Sequence, residues 1–265
     1  MDKLSALIKY INQFKSLVIA FSGGVDSSFL AAVMEKKCDI NVVAVTAVTE
    51  FQSSREFNNA VYMGRQIGVS HDFVKLKLLK NKKIIRNDSE RCYFCKKAIF
   101  QALRNYAENL GIKNIAHGAN LDDLSDFRPG SKAALEMGIL SPLVEAGMDK
   151  EQIRSYSKKM GLKTWDMPSQ SCLATRITYN TVINSQKLSM VEKSEQYLTS
   201  LGFSNFRVRC HEKMARIELM PASISRIFKD SLREQIVREF KKLGFEYITI
   251  DLEALSHYHF HKLLN

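Results

Sequence analysis

The sequence predicts an α/β chain. A parallel sheet with helices on both faces covers about residues 1–180, and a smaller α+β domain covers about 181–265. Three observations predict this. Apolar runs of strand length alternate with stretches of helix length through the first half of the chain. A glycine-rich turn joins the first strand directly to an apolar helix. After about residue 180 the alternation gives way to one helix, two β-like runs, a second helix and a last strand.

Leu4, Leu7, Ile8 and Ile11 recur at helical spacing, so a short amphipathic helix opens the chain. Ser16–Phe21 reads as a strand, because an unbroken apolar run suits a parallel strand buried on both faces. It runs into Ser22-Gly23-Gly24-Val25-Asp26-Ser27-Ser28, and an apolar helix continues through Met34. Strands follow at 41–46, 72–76 and 114–117, with helices at 54–67 and 94–109 between them. Residues 165–184, with Pro168, Cys172 and Arg176, read as a loop at the domain junction. Residues 185–201 read as a helix. The runs 206–210 and 215–219 are close enough to form a hairpin. A helix at 231–243 and a strand at 247–251 complete the second domain.

Composition narrows the classes. With 45% hydrophobic residues and 4 Pro among 265, the chain is globular rather than disordered or collagen-like. No stretch approaches the ~20 apolar residues of a membrane span. Met1-Asp2-Lys3-Leu4 lacks the pattern of a secretory leader. Five Cys are too few for a disulfide scaffold, so a cytoplasmic setting is expected, with thiols as packing, metal or catalytic groups. The net charge of +11 points to anionic partners. Much of it lies in residues 75–104, where ten basic residues face two acidic ones.

Ser22-Gly23-Gly24-Val25-Asp26-Ser27 stands where a strand ends and a helix begins. Adjacent glycines let backbone N–H groups turn inward. The helix N-terminus adds unpaired donors and positive dipole. Ser22, Ser27 and Ser28 offer hydroxyls, and Asp26 can hold Mg²⁺. No Lys lies in this loop, which separates it from the GxxxxGK[ST] nucleotidases. The loop resembles the pyrophosphate (PP) loop of the ATP pyrophosphatase superfamily. That resemblance implies an adenine nucleotide alpha hydrolase-like fold and cleavage of ATP between its α and β phosphates.

His117–Gly130 follows the fourth strand, where open α/β sheets bind ligands. Its Asn120, Asp122, Asp123 and Arg128 suit Mg²⁺ and nucleotide, or else form a turn with a solvated cap. Arg91-Cys92-Tyr93-Phe94-Cys95-Lys96 carries a CxxC at a helix start. Alone it fits a redox pair, half a zinc site or part of an iron–sulfur site. Cys172 in the junction loop is a third ligand candidate, and three thiolates suit a [4Fe-4S] cluster with one open iron. Cys38 and Cys210 read as packing.

Taken together, SGGVDSS, RCYFCK, GANLDDLSDFRPG, SCLATR and FRVRCHEKMARIE resemble the LarE family over about residues 15–250. These are ATP-dependent sulfur transferases of nickel-pincer nucleotide cofactor synthesis. The resemblance implies an anionic pyridinium-3,5-biscarboxylic acid mononucleotide substrate, a sulfide donor and a homo-oligomer. It also implies that ATP adenylates a carboxylate and that sulfur then displaces AMP. Some members sacrifice the sulfur of one Cys, which matches Cys172. Others use three Cys and a [4Fe-4S] cluster, and Cys92, Cys95 and Cys172 match that set.

Arg207 and Arg209 alternate on a predicted strand and so share a face, which suits phosphate or else is simply a solvated strand face. The resemblance places the substrate phosphate there. Arg176, near Cys172, is a further anion-binding candidate, and Thr175 adds a hydroxyl. The resemblance makes Glu195 and Glu218 metal ligands, against the plain reading of surface charge. His257, His259 and His261 have period-2 spacing that suits a metal, although a terminal strand or frayed end explains them as well. Trp165 reads as core. A [4Fe-4S]-dependent tRNA thiolase is the main rival. Val25 stands where cluster-bearing tRNA enzymes usually show Lys, and no added RNA-binding domain is evident. An ammonia-using synthetase of the GMP synthetase type would leave the three Cys without a role. A zinc-stapled regulator would not turn over.

Overall fold

A computed structural model describes residues 2–124, 129–168 and 171–253. In chain order it contains helix α1 (Lys3–Ile11), strand β1 (Ser16–Ala20), α2 (Val25–Lys37), β2 (Asn41–Val48), α3 (Ser54–Ile67) and β3 (Ser70–Lys75). Next come α4 (Lys82–Ile85), α5 (Arg91–Asn109), β4 (Ile115–His117), α6 (Pro129–Glu136), α7 (Pro142–Glu145) and α8 (Lys150–Lys159). Last are α9 (Ser185–Ser200), β5 (Arg207–His211), β6 (Met214–Glu218), α10 (Pro221–Ile227), α11 (Asp230–Lys242) and β7 (Tyr247–Ile250). Short 3₁₀ turns cover Leu78–Lys80, Leu121–Asp123 and Leu173–Arg176. Ser125, Asp126, Phe127, Arg128, Ser169, Gln170 and the three C-terminal histidines lie outside the described residues.

The chain forms two compact units. The first is Met1–Leu78 with Glu90–Gln170, and the second is Leu79–Ser89 with the chain from Ser171 onward. The division falls at 170/171, about ten residues before the boundary the sequence suggests, and a short upstream segment joins the second unit. Backbone bonding explains this. Ile177 bridges to Cys210, and the Thr178 N–H donates to the Cys210 carbonyl at 3.3 Å. Asn87 donates to the Ile177 and Thr178 carbonyls at 3.3 and 2.8 Å, so the Cys172 loop is built into the second unit.

The first unit holds a four-stranded parallel sheet in the order β3-β2-β1-β4. Leu17, Val18 and Ile19 of β1 are all fully buried. Their side chains alternate between two layers. Leu17 and Ile19 join a core with Phe29, Leu30 and Met34 of α2, Ala60 and Met63 of α3 and Ile153 of α8. Val18 joins Phe100 and Leu103 of α5 and Ala134 of α6. Helices therefore cover both faces, as the alternating pattern predicts. From Val25 to Met34 only Asp26 escapes burial, because α2 lies between sheet and outer helices. Strand order reverses direction around β1, and the crevice beyond its carboxyl end is where such sheets bind ligands.

The second unit holds an antiparallel β5–β6 hairpin, and β7 adds to β6 in parallel. Helix α9 packs on β5 and α11 on α9. Among the described residues no helix is long and apolar enough to cross a membrane.

Candidate active site

The loop after β1 is shaped by its glycines. Gly23 has φ +71°, and a Cβ there would lie 2.5 Å from the Cα of Ala60 on α3. Both facts demand glycine. The Gly24 N–H donates to Ser22 Oγ at 3.3 Å, and the Ser22 and Ser27 hydroxyls are 3.0 Å apart. The Ser28 N–H closes the first turn of α2 on the Gly24 carbonyl at 3.0 Å. The loop thus presents the positive end of a 13-residue helix to a cleft of about 240 Å³.

Ser22, Gly24, Asp26 and Ser27 line that cleft, together with Asp123, Lys96 and His117. Gly23, Val25 and Ser28 do not line it. Val25 and Ser28 are buried in the core, and Ser28 Oγ has no partner among the described residues. Asp26 is held from two sides. Asn120 donates to its Oδ1 at 3.2 Å, and the Lys150 ammonium pairs with its Oδ2. Asn120 is 3% exposed and also caps the turn that carries Asp123. Close approach of that turn to α2 requires Gly118, whose added Cβ would sit 2.9 Å from the Ser27 nitrogen.

His117 lies within 2.9 Å of Ser141 Oγ and packs edge-on against Phe100. Burial, reinforced by the Lys96 charge, pushes its pKa down to about 3. The imidazole is therefore a neutral wall of the cleft, and Lys96 is its cation. Cys92 and Cys95 sit in the first turn of α5, half-buried and outside any disulfide, and Arg91 Nη2 lies 3.7 Å from Cys92 Sγ.

In the second unit, Cys172 caps the 3₁₀ turn 173–176. Arg176 organises this loop. Its Nη1 donates to the Ser171 carbonyl and hydroxyl, both at 2.6 Å, and its Nε donates to Glu195 Oε1 at 3.0 Å. Glu195 also accepts the Val208 N–H at 3.1 Å. Arg209 makes a two-pronged bond to Glu218 at 2.8 and 3.0 Å, and its Nη1 donates to the Thr175 carbonyl at 2.8 Å. The carboxylates the resemblance offers as metal ligands thus each grip a guanidinium. Among the described residues no group of three or more His, Cys, Asp or Glu could hold a metal ion. Arg207 differs from its neighbours. It is half-buried, and its side chain makes no hydrogen bond or short ion pair among the described residues. Burial and the Arg209 and Arg176 charges hold its guanidinium below the ordinary arginine range.

A family model described as thiamine biosynthesis protein (ThiI) matches residues 13–199. The chain is 38% identical over 253 residues to an uncharacterised protein of Synechocystis, covering 96% of this chain and 94% of that one. It is 31% identical to an uncharacterised protein of Methanocaldococcus jannaschii, over 96% of this chain and 99% of that one. It is 32% identical to the pyridinium-3,5-bisthiocarboxylic acid mononucleotide synthase of Lactiplantibacillus plantarum, over 94% of this chain and 90% of that one. The chain belongs to the LarE family of PP-loop enzymes.

This LarE-family enzyme is an ATP-dependent sulfur transferase. Its cleft chemistry suits ATP. Backbone and hydroxyl donors and Lys96 face the cleft and can oppose phosphate charge, and Lys150 pairs with the cleft carboxylate Asp26. Sequence pattern alone does not single out Lys96, His117 or Lys150. Lys96 adjoins the CxxC, but Lys150 lies far along the chain at the start of a polar helix, and no local pattern links it to Asp26. Removing Lys150 leaves Asp26 without its paired cation, so its carboxylate repels polyphosphate unless Mg²⁺ offsets it. Lys150→Met is expected to lower kcat/KM for ATP by about ten- to a hundred-fold, with a steeper Mg²⁺ requirement. Steady-state pyrophosphate release over an ATP and Mg²⁺ series measures this, and an unchanged Mg²⁺ dependence would contradict it.

Proposed function

We propose that this LarE-family enzyme converts a carboxylate of pyridinium-3,5-biscarboxylic acid mononucleotide to a thiocarboxylate for a nickel-pincer nucleotide cofactor. The match over 94% of this chain to a pyridinium-3,5-bisthiocarboxylic acid mononucleotide synthase supports the reading most directly. Arg207 agrees with it, because a half-buried guanidinium that makes no side-chain hydrogen bond among the described residues has donors to offer the substrate phosphate. In the proposed reaction a substrate carboxylate oxygen attacks the α phosphorus of ATP, and the α–β anhydride bond breaks. Gly24 N–H, Ser22, Ser27 and Lys96 stabilise the charge on the departing pyrophosphate. Asp26 and Asp123 would hold Mg²⁺, which neutralises phosphate charge when bound. Sulfide sulfur then attacks the acyl carbon, and AMP leaves with the original carboxylate oxygen.

Cys92, Cys95 and Cys172 would hold a [4Fe-4S] cluster, which supplies an open iron position for sulfide. All three cysteines are half-buried and outside any disulfide. Anaerobically reconstituted wild type is expected to hold iron and sulfide in stoichiometric amounts, and Cys172→Ala to hold neither stably. Wild type without iron, together with loss of one sulfur from Cys172 in intact mass, would select the sacrificial route instead. The function itself is tested by adding ATP, Mg²⁺, a sulfide source and the biscarboxylic mononucleotide. Mass spectrometry should find product shifted by one sulfur-for-oxygen exchange, and its absence alongside intact ATP would refute the substrate.

A further inference from the structure

We propose that Asn59 of α3 is a positioning residue for the phosphate loop, fixing the Gly23–Gly24 peptide so that its N–H faces the cleft. The inference rests on the reading that this loop holds the pyrophosphate part of ATP. Asn59 Nδ2 donates to the Gly23 carbonyl at 2.7 Å, across 36 residues of sequence. A trans peptide is planar, with its C=O and N–H pointing in opposite directions, so anchoring the carbonyl also sets the N–H. The N–H concerned belongs to Gly24, which lines the cleft and makes only a long 3.3 Å bond to Ser22 Oγ.

The loop needs such an anchor. Gly23 sits in the left-handed region at φ +71° and has no side chain to bias the next peptide. A flipped peptide would turn a carbonyl oxygen toward the bound anion. Packing on Ala60 excludes a side chain at Gly23 but offers no hydrogen bond to its carbonyl. Asn59 itself is held rigidly. Helix α3 starts with a complete capping box between Ser53 and Glu56, one turn before Asn59. The same helix approaches the sheet closely at Gly64, where an added Cβ would lie 2.5 Å from His71 Nδ1. Asn59 therefore carries the loop's orientation from a fixed frame.

The test is calorimetric titration of wild type, Asn59→Ala and Asn59→Asp with magnesium pyrophosphate and, separately, with AMP. Pyrophosphate affinity should fall about ten-fold in Asn59→Ala and further in Asn59→Asp, which sets a carboxylate against the Gly23 carbonyl. AMP affinity should stay within about two-fold in both, because the adenylate leaves the loop with pyrophosphate removed. Unchanged pyrophosphate binding in both variants would overturn the inference, and so would an equal loss of both ligands. Should Asn59→Asp fail to fold, the two titrations of Asn59→Ala are sufficient by themselves. Wild type that binds no pyrophosphate would overturn the reading of the loop and this inference with it.

Discussion

Asp26→Asn is expected to lower kcat for ATP-dependent pyrophosphate release by about a thousand-fold while leaving the fold intact. The substitution is nearly isosteric. It keeps an oxygen to accept the Asn120 amide at the 3.2 Å contact, so the turn carrying Asp123 stays in place. It removes the charge that pairs with Lys150 and the oxygen best suited to a hard cation. Lys150 is then a cation without a fixed position, and phosphate charge at the α–β anhydride is no longer matched in geometry. Binding of ATP should weaken much less than turnover, because the loop N–H groups and the α2 dipole remain. Pyrophosphate release at saturating ATP and substrate, with melting temperature as the control, measures this. A variant retaining a third of the wild-type rate would remove Asp26 from the chemistry.

Much of the first unit is legible in the sequence because two physical signals coincide there. Leu17, Val18 and Ile19 form an unbroken apolar run, and only a strand covered on both faces needs one. The Ser22–Ser28 turn then has no reading that ignores its glycines, and Gly23 carries the positive φ that the pattern implies. Helix α3 spans Ser54–Ile67, the range its spacing gives, since a capping box marks one end and Gly68 at φ +85° the other. Helix α8 illustrates what is not legible. In KEQIRSYSKK only Ile153 and Ser157 are buried, too few to show a period, so its start and Lys150 pass unnoticed. The second unit hides more. Alternation places Arg207 and Arg209 on one face, but nothing local says that Glu218 takes the Arg209 fork and leaves Arg207 open. Cross-strand register would point the other way, since Arg207 faces Glu218 and Arg209 faces Arg216, yet the fork on Glu218 is made diagonally by Arg209.

The Arg209–Glu218 pair yields the largest expected loss of stability. Glu218 is 3% exposed and accepts from Arg209 twice and from Arg216 once, at 3.1 Å. Glu218→Ala leaves Arg209, itself 6% exposed, as a buried cation beside Arg207 and Arg216. Breaking such a pair from one side costs about 3–5 kcal/mol. For a unit of this size that lowers its melting transition by more than ~10 °C. Removing both partners is different. Glu218→Leu with Arg209→Met replaces the pair by apolar groups of similar volume and should recover most of the stability, since desolvation offsets much of the attraction in a buried pair. It should not recover activity. The Arg209 Nη1 bond to the Thr175 carbonyl is also gone, and Thr175 tethers the Cys172 carbonyl through its own hydroxyl at 2.7 Å. The double variant is thus expected to be folded but poor at sulfur transfer, whereas Glu218→Ala is poor at both. Thermal melts alongside thiolated-product yield separate the two. A stable Glu218→Ala would show the pair to be dispensable, and a fully active double variant would show that the Cys172 loop keeps its place without Arg209.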